Sequence, residues 1–227
     1  MTLEDSTVLI DLGPIRDAAV EQLAARRTVK LAPSTLATAS SQDPDKIRRA
    51  FPDSNAVLSA LVLGAYNDMS DAAEAAIIPG DSPLQRWIAI SRGVRAWALG
   101  HPDEYSLIWG QPVPDFSAPP ETMAAGARTV LTLLATLHEA LAAGELLGGE
   151  DDLPLPPAMA ANVTALAEGL LNGLPDWVIA RMLVAWTQLH GMVGFEVNGH
   201  IAGVAGDPEA FFDHAAAQMG RYVGLSR

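Results

Sequence analysis

The stretch LATASSQDPDKIRRAFPDS, Leu36 to Ser54, decides how this chain is read. Asp43 is a strong N-cap residue and Pro44 a favoured first helical residue, so DPDKIRRAF predicts a helix of only two turns. Just before it, STLATAS (34–40) predicts another short helix, opened by Ala32-Pro33 because a proline in the first turn gives up no needed hydrogen bond. Ser41-Gln42 leaves room only for a tight turn between the two. Working outward, Pro14 opens PIRDAAVEQLAARR, where Ile15, Ala18, Ala19, Leu23 and Ala24 follow the three-four spacing of an amphipathic helix. Three short helices, the second and third joined by a tight turn, describe a helix-turn-helix unit. In such a unit the later helix enters the major groove of DNA and the earlier one braces the phosphate backbone.

Charge bears on that reading. The net charge of −13 would repel a polyanion at long range. Its distribution is uneven, however: residues 1–60 hold seven Lys/Arg against eight Asp/Glu, and residues 61–227 hold seven against nineteen. That asymmetry predicts a small, electrostatically distinct unit on an acidic body. Lys46, Arg48 and Arg49 taken alone describe a solvated helix face. On the third helix of a helix-turn-helix they become phosphate or base-edge contacts, with Ser34 and Thr35 as further DNA-binding candidates. Asp43 and Asp45 would repel phosphates and are expected to serve the helix N-terminus.

The rest of the 227 residues is punctuated in the same way. Asp53 or Ser54 caps a longer helix that ends at Pro79-Gly80, and Asp81-Ser82-Pro83 caps one reaching Gly100. HPDEYSLIWG (101–110) predicts a short helix, QPVPDFSAPPE a proline-rich loop, and Glu121 to Ala143 a long helix. A flexible acidic loop follows. Helices are then expected over 157–171, 175–201 and 207–223, the last opened by Asp207-Pro208. No strand-like alternation or internal repeat competes, so the fold class is all-α. Apolar residues make up 49% of the chain and charged residues 18%, as expected of a folded, mostly helical protein. The absence of cysteine removes disulfides, thiolate metal sites and cysteine nucleophiles. No apolar run is long enough to span a bilayer, and the acidic N-terminus is unlike a signal peptide, so a cytoplasmic protein with no membrane partner is expected.

LATASSQDPDKIRRAFPDSNAVLSAL resembles the DNA-binding region of TetR-type transcriptional regulators. Leu36-Ala37 match the start of the family pattern; Phe51-Pro52-Asp53-Ser54 with Val57-Leu58 match its end. Ser41 stands where the family usually has a turn glycine, Arg48 where it has a phosphate-contacting aromatic, and Arg27 where it has another glycine. RAWALGHPDEYSLIWGQPVP and AWTQLHGMVGFEVNGH are similar to the regulatory domain of a TetR subgroup named for a Trp, His and Gly, here Trp186, His190 and Gly191. The resemblance implies a helix-turn-helix DNA-binding domain over 1–54 and a larger helical domain over 55–227 for ligand binding and dimerisation. It further implies a homodimer, in most such proteins a repressor, that binds operator DNA and responds to a small-molecule effector held inside the second domain. No cofactor is implied.

Within that second domain, Trp97, Tyr105, Trp109, Met123 and Met192 are candidates for an adaptable apolar pocket, and equally for ordinary core. His190 shares a helix face with Trp186, Val193 and Val197 and reads as a packed histidine. Gly191 and Gly194 each cost a helix about 1 kcal/mol relative to alanine, so they predict a close helix approach, which the family resemblance places at the dimer interface. Glu196 and His200, four apart, are spaced for a local pair. No metal-binding spacing, nucleophile motif or phosphate loop is present, which makes an enzyme the weakest reading. The alternative to a DNA-binding regulator is a ligand- or protein-binding module of the same fold that has lost sequence-specific DNA binding.

Overall fold

The computed structural model describes residues 13–15, 18–19, 37–38, 40–41, 43–148 and 152–226. Eight helices are described in full and are numbered from the first of them. They are α1 (Pro44–Ala50), α2 (Ser54–Ala75), α3 (Pro83–Gly100), α4 (Pro102–Trp109), α5 (Pro120–Ala142), α6 (Pro157–Ala167), α7 (Asp176–Val197) and α8 (Pro208–Tyr222). The fold is all-α; among the described residues the extended pairing is limited to one isolated bridge, Leu146 with Leu225.

The helix starts follow from short polar side chains that satisfy otherwise unbonded N–H groups. Asp43 accepts from the Asp45 N–H at 2.8 Å, Asp53 from Ala56 at 2.8 Å and Asp207 from Ala210 at 3.0 Å. Ser82 and Gln85 form a reciprocal capping box at the start of α3. The ends of two helices differ from expectation. α6 stops at Ala167, four residues early, where Glu168 to Gly173 take up a series of turns. α7 stops at Val197 because Gly199 adopts a φ of 72°, so that His200 donates back to the Phe195 carbonyl at 2.8 Å and Gly199 to Glu196 at 2.9 Å.

Two compact units emerge, residues 1–65 with 103–122 and residues 66–102 with 123–227. The core of the first gathers Ile15, Ala18, Ala19 and Ala37 with Ile47 and Phe51 of the α1 region and Val57, Leu58 and Leu61 of α2. Leu107, Val113 and Phe116 pack against it, so the chain returns to this unit after α3. In the second unit α8 lies against α3 and α7, α3 against α7, and α6 against α7. Its buried residues include Trp87, Ile90 and Val94 of α3, Leu133 and Leu137 of α5, Val178, Ile179 and Leu189 of α7, and Phe212 of α8.

Gly93 sets the approach of α3 to α2. A methyl group there would lie 2.6 Å from the Ala72 carbonyl oxygen and 2.8 Å from the Ala73 Cα, both backbone atoms that cannot swing aside. Gly93→Ala is therefore expected to lower stability by about 2 kcal/mol despite the better helix propensity of alanine, read as a lower urea midpoint at unchanged slope.

Ion pairs tie the second unit together. Arg95 grips Glu196 with two parallel bonds of 2.7 and 2.6 Å and lies over the Phe212 ring. Arg92 holds Asp213 at 2.6 and 2.7 Å, and Arg86 pairs with Glu139. The local pairing of Glu196 with His200 does not form. A guanidinium offers the carboxylate a fixed two-bond fork, which an imidazole cannot match, and His200 rests its ring against Phe195 instead. The segment after α5, expected to be a flexible loop, is fastened at both ends. Leu147 donates to the Gly224 carbonyl at 2.9 Å, and Arg181 holds Asp152 while donating to the Tyr222 carbonyl.

Candidate nucleic-acid interface and regulatory face

α1 is anchored by one residue. Ile47 is fully buried, and Lys46, Arg48 and Arg49 on either side of it are exposed. Arg48 pairs with Asp45 one turn back and donates from Nε to the Pro44 carbonyl at 3.3 Å. Arg49 donates from Nε to the Asp45 carbonyl at 3.1 Å. The Asp45 N–H bonded to Asp43 holds that carboxyl below its usual range, so it stays ionised as the cap of α1. Ser41 takes a φ of 55°, the left-handed conformation expected where a glycine is usual, and its N–H donates to Thr38 at 3.3 Å. Ser34, Thr35 and Arg27 lie outside the described residues.

Most described cations of the acidic body are paired, Arg221 excepted, whereas in α1 Arg48 alone is. Arg86, Arg92, Arg95, Arg128 and Arg181 all sit in ion pairs. Lys46 and Arg49 have none among the described residues.

The proposed pocket residues fall in different settings. Trp97 is buried and stacks on His101 with ring centroids 5.4 Å apart, while the His101 Nδ1 lies 2.9 Å from the Trp97 carbonyl. Met192 is half-buried, and Met123, in the same unit, is 78% exposed. Tyr105 and Trp109 belong to the other unit. The first is buried, which pushes its phenol above the usual range, and the second is half-buried. Sequence reading missed Arg128 and the buried Ser70–Thr129 hydroxyl pair, whose members are 59 residues apart in the chain with no local pattern linking them.

On α7, the Trp186 and His190 rings meet edge to face with centroids 4.2 Å apart, and His190 is buried. Around Gly191 and Gly194, the helix's own backbone apart, no described residue lies within 4 Å of where a side chain would begin, so among the described residues no helix makes the close approach that these glycines predict. Val184 (50% exposed) and Phe195 (58% exposed) fall at matching helical positions on either side of Gly191. α6, which packs on α7, buries only Val163 although its sequence PAMAANVTALA is almost wholly apolar.

Burial pushes the His190 imidazole down from 6.5 to about 3. Between those values the unfolded chain binds a proton that the folded chain does not, so His190 supports stability above pH 6.5 and withdraws that support as pH falls toward 3. From pH 7 to pH 5 the loss amounts to roughly 2 kcal/mol. Urea unfolding of His190→Leu at the two pH values is expected to show a pH difference smaller by about that amount.

Among the described residues no group of three or more His, Cys, Asp and Glu side chains could hold a metal ion, and no helix is long and apolar enough to cross a membrane.

A family model described as tetracyclin repressor-like, C-terminal domain, matches residues 87–219, a span that contains Trp97, Trp186, His190 and Gly191. The HTH-type transcriptional regulators Rv1816 of Mycobacterium tuberculosis and Mb1846 of Mycobacterium bovis are each 30% identical over 165 residues, covering 69% of this chain and 68% of theirs. The solved structure of SCO4313 superposes with a TM-score of 0.67 at 26% identity over 90% of this chain and 92% of that one. A TetR family transcription regulator from Marinobacter aquaeolei VT8 shares the fold at a TM-score of 0.62 and 13% identity, over 93% and 94% of the two chains. The chain belongs to the TetR family of transcriptional regulators, a non-enzymatic class.

Proposed function

We propose that the protein is a homodimeric repressor in the cytoplasm that binds operator DNA through α1 and leaves it when a small apolar or aromatic effector binds. In this reading residues 1–54 make the DNA-binding domain and residues 55–227 the regulatory and dimerising one. The observation that carries it is the contrast between the body, where Arg86, Arg92, Arg95, Arg128 and Arg181 are neutralised by carboxylates and Arg221 stands apart, and α1, which gathers Lys46 and Arg49 on one short helix without ion pairs among the described residues. Cations left in that state on a short, anchored helix suit phosphate contact and counterion release. Ser34 and Thr35 would add contacts from the preceding helix. Trp97, Tyr105, Trp109, Met123 and Met192 remain the candidates for effector contact.

A two-fold dimer must hold its two α1 helices about 34–36 Å apart to enter successive major grooves, and an effector works by favouring a different separation. The unpartnered faces of α6 and α7, with Val184, Gly191, Gly194 and Phe195, supply a surface for such a dimer. A second reading, in which the fold persists without sequence-specific DNA binding, draws on one observation: Asp43 and Asp45 are exposed beside the basic residues of α1. Fluorescence anisotropy with DNA flanking the protein's own gene, across a salt series, separates the two. Tight binding that weakens steeply with salt and exceeds that to random DNA supports the repressor; equal, weak binding to both supports the second reading.

A further inference from the structure

We propose that Arg128 is the positioning residue that makes the second half of α2 and the first half of α5 one body, so that any shift of α5 is carried along α2. This rests on the reading of the chain as a DNA-binding, effector-responsive regulator, and it names the joint through which regulation acts.

α2 is one unbroken helix whose residues 54–65 belong to the first compact unit and 66–75 to the second. The latter half meets α5, and its contacts repeat turn by turn. The Tyr66 ring lies where a side chain on Gly126 would begin, 3.2 to 3.5 Å away, so glycine at that position lets the ring rest on α5. One step further, Arg128 donates from Nη1 to Asn67 Oδ1 at 3.2 Å, and from Nη2 to Asp71 Oδ1 at 2.7 Å and Glu74 Oε2 at 2.9 Å. Beside it, the fully buried Ser70 and Thr129 hydroxyls meet at 3.0 Å.

Asn67, Asp71 and Glu74 are the three- and four-residue neighbours along one face of α2, and one planar guanidinium reaches all three. A slide of α2 by one turn would exchange acceptors and separate the buried hydroxyl pair, each of which would then lack a partner away from water. The seam therefore has one favoured register and resists slipping. A helix fixed in this way to α5 moves with it.

Coupling of this kind is reciprocal: if α5 influences DNA affinity, bound DNA must influence α5. DNA can therefore serve as the probe before any effector is known. The experiment is amide hydrogen exchange of the full-length protein, free and bound to a duplex that the wild type has selected from a random pool, for wild type, Arg128→Ala and Arg128→Lys. In the wild type, DNA is expected to change exchange at residues 123–136 by about fivefold or more. In Arg128→Ala that response disappears while DNA affinity and the helical circular dichroism are retained. Arg128→Lys, which keeps the charge but loses the planar fork, gives an intermediate response. A full response in Arg128→Ala, or none in a wild type that does bind DNA, overturns the assignment of Arg128 and leaves the regulator reading standing. Failure of the wild type to select any DNA overturns that reading, and the joint falls with it.

Discussion

Glutamate at both Val184 and Phe195 is expected to convert the protein to a folded monomer. Both side chains are half or more exposed on α7, so the chain on its own has no reason to unfold when they become polar. In a two-fold dimer built on α6 and α7 they would be buried, and the substitutions would place four carboxylates without partners at the interface. Each uncompensated buried charge costs about 3 kcal/mol or more, so the dissociation constant should rise by well over about 100-fold. Sedimentation velocity at micromolar concentration reads the change directly, and retained helical circular dichroism with a cooperative thermal melt, lowered only by the loss of association, shows that the fold survives. DNA affinity should fall with it, because a monomer reaches one half-site only. A variant that remains a dimer would move the interface away from this face of α7.

The second large effect is expected from Arg48→Ala combined with Arg49→Ala. Neither side chain contributes to the core, which α1 reaches through Ile47 alone, so folding should be untouched. An arginine contacting DNA contributes on the order of 1–3 kcal/mol, so the pair should weaken operator binding by about 100-fold or more. The salt dependence should flatten as well, by about one unit of slope for each phosphate contact removed, or about four in a dimer. Asp45 gives the test an internal control. Because it pairs with Arg48 in the free protein, Asp45→Asn should release that arginine and leave the salt slope unchanged or steeper.

Much of the fold was legible in the sequence because its helices are punctuated by residues whose effect is local. Asp43-Pro44, Ser82-Pro83 and Asp207-Pro208 each mark a helix start by capping chemistry that needs no distant partner. Ile15, Ala18 and Ala19 show their buried face through spacing alone. The ends of α6 and α7 were less legible. Apolar periodicity runs on past Ala167 and Val197, and the stops depend on turns whose glycines read equally well as helical. The pairing of Glu196 with Arg95 was hidden for another reason. The partners are 101 residues apart, so the local alternative, His200, was the only one that spacing offered. The same holds for Arg128, whose acceptors stand 54 to 61 residues earlier in the chain. Gly191 and Gly194 were legible as a demand for space, but spacing does not say which surface fills it.

The most direct test of the central claim is selection of DNA by the purified wild-type protein from a random double-stranded pool, followed by sequencing. The account predicts enrichment of an inverted repeat whose half-sites are centred about one helical turn apart, or a multiple of it, as a two-fold dimer with one α1 in each groove requires. A pool that emerges without an enriched sequence would contradict it and assign the protein to the group that keeps the fold without reading DNA.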